Sequence, residues 1–131
     1  MKFLYLILAV CGFAFAASAC AGRSEDTFKN LSADEFERLI EDDEVQCVDV
    51  RTVAEYSEGH IRGSYNINAL DKKFADAAEE MLDKSRPVAV YCKSGRRSRN
   101  AAHLLVGKGF TVFNLDKGFE EWSKAGKEIE K

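Results

Sequence analysis

Pro87, the only proline in 131 residues, opens the most strand-like run of the chain, Val88-Ala89-Val90-Tyr91. That run passes directly into Cys92-Lys93-Ser94-Gly95-Arg96-Arg97, and an apolar pattern at helical spacing follows. A short, wholly apolar run rich in β-branched and aromatic residues reads as a strand buried on both faces. A strand, a tight polar turn and a helix in immediate succession are the repeating unit of an α/β sheet.

The rest of the chain carries the same alternation. Ser32-Ala33-Asp34-Glu35 has the spacing of a capping box, and Phe36, Leu39 and Ile40 recur behind it, so a helix is expected over 33–41. The remaining patterns place strands over 45–50, 88–91 and 112–115, and helices over 74–82, 98–108 and 120–125. Gly107 and Gly109 stop the helix that carries Ala101, Ala102, Leu104 and Leu105. The expected fold is one α/β domain, a three-layer sandwich with a mainly parallel central sheet flanked by helices.

The first residues form a separate object. Behind Lys2, residues 3–22 hold no charged side chain, and the apolar run ends at Ala17-Ser18-Ala19-Cys20. A basic start, a short apolar run and small residues before a cleavage point describe a secretory signal. The run is short for a helix that must cross the hydrocarbon of a bilayer. Ala17-Ser18-Ala19 suits an ordinary signal peptidase, and the same residues before Cys20 resemble a bacterial lipobox. The expected organisation is a lipoprotein-type signal over 1–19, cleavage before Cys20, a tether over 20–27 and the domain over 28–131. Cys20 would then carry acyl chains, holding the domain to a membrane surface in an extracytoplasmic bacterial compartment. A soluble periplasmic protein is the alternative.

Composition removes other classes. A formal net charge of −3 lacks the basic face of a general nucleic-acid binder. Four cysteines without a Cys-x-x-Cys pair make neither a disulfide scaffold nor a zinc site, and no metal or cofactor is expected.

The turn after Tyr91 concentrates the chemistry. Successive backbone N–H groups in such a turn face one concavity, and the following helix adds its positive end. Lys93, Arg96 and Arg97 add full charges. A thiol at Cys92, in the middle of that field, is expected to ionise readily and act as a nucleophile. The bland reading, a buried inert thiol, sits poorly beside a glycine and three basic residues.

Tyr91-Cys92-Lys93-Ser94-Gly95-Arg96-Arg97-Ser98 resembles the active-site loop of single-domain rhodaneses, the thiosulfate sulfurtransferases. Asp49-Val50-Arg51, Glu55-Tyr56, Gly59-His60-Ile61 and the run from Gly63 to Ile67 resemble that family's upstream signature. Leu115 through Gly118 to Trp122 is similar to its closing element. Arg62 stands where proline is common in the family, and Lys117 where the first of two glycines is common. The resemblance implies a rhodanese-like fold without cofactors and a two-step transfer. Cys92 would take sulfane sulfur from thiosulfate or a related donor as a persulfide and pass it to cyanide or a thiol. Loop amides from Lys93 to Ser98 would stabilise the persulfide, Arg97 would brace the loop backbone, and Lys93 and Arg96 would attract the donor anion.

Cysteine phosphatases, and arsenate reductase-like enzymes beside them, differ in loop length. The phosphatases place arginine six residues after the cysteine, whereas here that position is Ser98 and Arg97 is the fifth. Another alternative is a persulfide carrier that relays sulfur to a protein partner. Asp49 and Arg51 read as a polar brace near the loop. Cys47 reads as a small core residue, with a resolving thiol as the alternative, and His60 and His103 read as structural.

Overall fold

The computed structural model describes residues 28–131. The expected signal over 1–19, the Cys20 acylation site and the tether lie outside the described residues.

Five strands form one sheet: β1 (Lys29–Leu31), β2 (Gln46–Asp49), β3 (Tyr65–Asn66), β4 (Val88–Tyr91) and β5 (Val112–Leu115). Their order is β1-β5-β4-β2-β3, and every neighbouring pair is parallel. Four helices connect them and a fifth follows β5: α1 (Ala33–Ile40), α2 (Val53–Glu58), α3 (Phe74–Met81), α4 (Arg96–Gly107) and α5 (Gly118–Lys124).

Alternation along the strands sorts side chains into two cores. Val48, Val50, Val88, Val90 and Val112 pack with Phe74 and Ala78 of α3 and with Ala101, Ala102 and Leu105 of α4. On the other face, Leu31, Cys47, Ala89, Tyr91 and Leu115 pack with Phe36 of α1 and Trp122 of α5. Every residue of β2 and β4 is buried, as a strand covered on both faces requires. Removing a large side chain from either core is expected to cost about 2–5 kcal/mol.

The expected capping box is complete: Ser32 Oγ accepts from the Glu35 N–H at 3.1 Å, and Glu35 Oε1 accepts from the Ser32 N–H at 2.9 Å. Elements β1, α2 and β3 were not expected. β1 and β3 are edge strands of three and two residues, too short to carry a periodic pattern. α2 has no buried residue, so hydrophobic periodicity could not reveal it. Its signal is Thr52-Val53-Ala54-Glu55, a second capping box with both reciprocal bonds formed.

Two boundaries are corrected. α4 begins at Arg96 rather than at 98, because Gly95 at φ +100° turns the chain into the helix. α5 begins at Gly118 rather than at 120. Among the described residues, no helix is long and apolar enough to cross a membrane.

The topology selects a place for ligands. From β2 the chain moves outward to β3, then returns to β4 on the other side of β2 and continues to β5. The direction reverses between β2 and β4, and ligands in open α/β sheets bind beyond the carboxyl ends of strands at such a reversal. Asp49 and Tyr91 stand opposite each other at those two ends, so Arg51 and Cys92 emerge side by side in the chain path.

Candidate active site

Cys92 is the first residue after β4, and its side chain is buried. The Gly95 N–H donates to Sγ at 3.1 Å. Burial pushes the thiol up, but hydrogen bonds from the Ser98 hydroxyl and from the Ser98, Gly95 and Ser94 amides together hold it below its ordinary range. The Ser98 hydroxyl lies 3.2 Å from the Gly95 carbonyl and serves either acceptor as it rotates. The groups that lower this thiol are the Ser98 hydroxyl and, after it, the backbone amides of the turn and the start of α4.

Two glycines make that loop possible. A Cβ on Gly95 would overlap the Asp116 carbonyl, and one on Gly118 (φ +70°) would overlap the Lys93 carbonyl. The close approach at Gly118 lets the Phe119 N–H bond the Cys92 carbonyl at 2.8 Å and the Glu120 N–H bond the Lys93 carbonyl at 3.0 Å. The first turn of α5 thus clamps the loop from below. Composition and spacing had not singled out this clamp, since its donors are main-chain groups brought from 27 positions away, Cys92 to Phe119.

Arg97 does not brace the loop backbone as expected. Its guanidinium forms a two-pronged pair with Glu55, at 2.9 and 3.0 Å, which ties the first turn of α4 to α2. Glu55 Oε1 also accepts from the Thr52 N–H at 3.0 Å. The Arg97 guanidinium is the main reason that the Glu55 carboxyl is held down at about 2, against some opposing effect of burial.

Asp49 and Arg51 form a buried pair at 2.7 Å. Arg51 Nη2 also donates to the Gly59 carbonyl at 2.7 Å, and its guanidinium lies over the Phe119 ring, 4.3 Å from the centroid. The Tyr91 hydroxyl donates to Asp49 Oδ2 at 2.7 Å and accepts from the Ile61 N–H at 2.9 Å. Every lone pair on this buried carboxylate has a donor facing it, the condition for keeping an ion pair dry. The network fixes Arg51 at the edge of the site.

A cavity of about 290 Å³ opens beside the loop, lined by Arg51, Glu55, Glu58, Lys93, Phe119 and neighbouring groups. It borders Lys93 rather than the sulfur itself. Lys93, Ser94 and Arg96 are exposed, and Arg96 is not among the residues lining this cavity. The structure therefore brings Cys92, Ser94, Gly95 and Ser98 together around the sulfur, sets Lys93 and Arg51 on one flank, and turns Arg97 toward α2.

The family model for the rhodanese-like domain matches residues 32–125. The chain belongs to the rhodanese-like family. The thiosulfate sulfurtransferase GlpE of Shewanella oneidensis is 37% identical over 100 residues, covering 76% of this chain and 96% of the relative. The protein of the same name from Pseudomonas paraeruginosa is 38% identical over 99 residues, covering 74% and 86%. The solution structure of the rhodanese-like domain of Anabaena Alr3790 superposes with a TM-score of 0.70 at 29% identity, covering 77% of each chain. This rhodanese is an enzyme of the sulfurtransferase type. Its lysine at position 117 fits because φ there is −102°, which any residue adopts, while the left-handed position falls on Gly118.

Two further residues have defined places outside the cavity. His60 stacks on Tyr56 with centroids 3.7 Å apart, and its Nδ1 lies 2.8 Å from the Tyr56 carbonyl oxygen. His103 is exposed and meets Phe28 edge-on at 4.9 Å.

Proposed function

We propose that this rhodanese transfers sulfane sulfur from thiosulfate or a related donor through a persulfide on Cys92. The Cys92 thiolate attacks the outer sulfur of the donor; the S–S bond of thiosulfate breaks and sulfite leaves with the electron pair. The sulfur stays on Cys92 as a persulfide whose terminal charge faces the loop amides. A nucleophilic acceptor, cyanide or a thiol, then attacks that terminal sulfur and returns Cys92 as a thiolate. No general base is required once the thiol is ionised, which agrees with the absence of any histidine from the residues around Sγ described above.

The observation that carries this reading is the sulfur of Cys92 held 3.1 Å from the Gly95 amide at the positive end of α4. Preorganised donors of this kind contribute roughly 3–4 kcal/mol to a reaction that develops negative charge beside them. Intact-mass measurement after incubation with thiosulfate tests it: the protein should gain one sulfur atom, and the gain should be lost on adding cyanide. No mass gain would overturn the reading.

The uncharged run over 3–22 and Ala17-Ser18-Ala19-Cys20 support export with acylation at Cys20. Cells fed a fatty-acid analogue should tag the protein, and Cys20→Ala should abolish the tag. A secreted, untagged protein that begins at Cys20 would replace the lipid anchor with a soluble extracytoplasmic form.

A further inference from the structure

The cavity beside the Cys92 loop holds an uneven set of charges. Arg51 is neutralised by Asp49, and Glu55 by Arg97. That leaves Lys93 as a cation against the two carboxylates of Glu58 and Glu120. All three are exposed, and none makes an ion pair with the described residues. Arg51 spends Nε and Nη2 on Asp49 and Gly59, while its Nη1 has no hydrogen-bond partner among the described residues. Its side chain is only 5% exposed, so this free donor can reach little besides the cavity that Arg51 lines.

A small dianion such as thiosulfate does not explain two unpaired carboxylates. A molecule with both signs of charge does. Resting on the persulfide reading above, we infer that this cavity is the acceptor subsite and selects a low-molecular-weight thiol bearing an ammonium group together with a carboxylate, an amino-acid or peptide thiol. Glu58 and Glu120 face the ammonium; Lys93 and the free Nη1 of Arg51 face the carboxylate; the Phe119 ring forms the apolar wall. The cavity flanks the sulfur, so the polar body of the acceptor is held to one side while its own sulfur reaches toward Cys92. In the transfer the acceptor thiol loses its proton to solvent and its thiolate attacks the terminal persulfide sulfur. A new S–S bond forms, the bond to Cys92 Sγ breaks, and the electron pair returns to Cys92. The exchange needs no added oxidant or reductant.

Purified protein is loaded with thiosulfate and then challenged with cysteamine, 2-mercaptoethanol, 3-mercaptopropionate and cysteine. Rates are expressed per thiolate and relative to cyanide for the same variant. Each exposed ion pair changes affinity by up to about fivefold, so the ammonium-bearing thiols should outpace mercaptopropionate by about tenfold. In Glu58→Gln/Glu120→Gln the ratio of cysteamine to mercaptopropionate should fall toward one, and in Lys93→Gln cysteine should lose ground to cysteamine. A wild-type preference for the anionic thiol, or ratios unmoved in both variants, would overturn the inference. If no sulfur is loaded at all, the persulfide reading itself fails; loading and cyanide turnover without a charge order removes the acceptor subsite alone.

Discussion

Cys92 directly follows β4 and Cys47 lies within the adjacent strand β2, both free and both buried, at 1% and 6% exposure. Burial is therefore not what separates them. The Cys47 side chain points into the core with Phe36 and Trp122, where burial, and after it the charge of Asp49, pushes its thiol up. Cys92 suffers burial too, yet the Ser98 hydroxyl and the Ser98, Gly95 and Ser94 amides outweigh it, the Gly95 N–H bonding Sγ directly. The difference lies in where the strand ends. Mid-strand, the neighbouring amides are committed to the ladder, whereas past the strand end the turn and the first residues of α4 have N–H groups free to face a sulfur. The lowered thiol of Cys92 thus depends on the Ser98 hydroxyl and on backbone donors left uncommitted at this strand-to-helix junction.

The largest expected effect breaks the comparison at its centre. Cys92→Ser should abolish thiocyanate formation while circular dichroism and thermal unfolding stay close to wild type. Cys47→Ser should keep most activity and lose about 1–3 kcal/mol of stability through a buried hydroxyl. Equal loss of activity in two folded variants would erase the assigned difference between the thiols.

Gly118→Ala tests whether the loop needs its clamp. Alanine would take a left-handed backbone conformation, and its Cβ would overlap the Lys93 carbonyl and crowd the Cys92 carbonyl. Strain and overpacking together should cost about 2–5 kcal/mol in urea unfolding, with activity falling further than stability alone accounts for. An unaltered midpoint would show that the Phe119 and Glu120 amides do not hold the loop.

Ser98→Ala isolates one donor to the sulfur. Because hydrogen bonds to the charged form keep the Cys92 thiol low, their loss should move the acid limb of the rate profile to higher pH. The plateau at high pH should remain, since the thiolate still forms there. A profile that does not move would assign the acidity of Cys92 to the amides alone.

Glu55→Gln should have the smallest effect. The carboxyl lies near 2 in the folded chain against an ordinary 4.5. A lowered carboxyl adds stability above its unfolded value, and that stability disappears as the pH falls from 4.5 toward 2. The displacement corresponds to about 3 kcal/mol at most. Partial exposure of the pair screens this to about 1 kcal/mol. The variant should therefore be about 1 kcal/mol less stable at pH 7 and equal to wild type near pH 2.

Much of this was legible before the fold was known. β4, α1, α3 and β5 announced themselves by apolar period, and α1 also by its cap, because each buries a regular face. The turn from Cys92 to Gly95 was legible because a thiol and a glycine lie in it with Lys93, Arg96 and Arg97 crowded beside them. Arg97 was misjudged, since its partner Glu55 lies 42 positions away on a helix that buries nothing. The Gly118 clamp was out of reach for a related reason: main-chain donors carry no residue signature.

The sequence by itself determined the alternation of strands and helices and the turn that follows β4, with Cys92 at its head. These follow from short-range chemistry: side-chain period, cap spacing and a strand that runs straight into a glycine turn. The tertiary structure alone decided which charges remain unpaired. Lys93, Arg96 and Arg97 look alike along the chain, but only Arg97 meets a carboxylate, and only Lys93 borders the cavity with Glu58 and Glu120. Whether a charge is spent or available depends on partners that folding brings together from distant positions, and local sequence does not encode that distance.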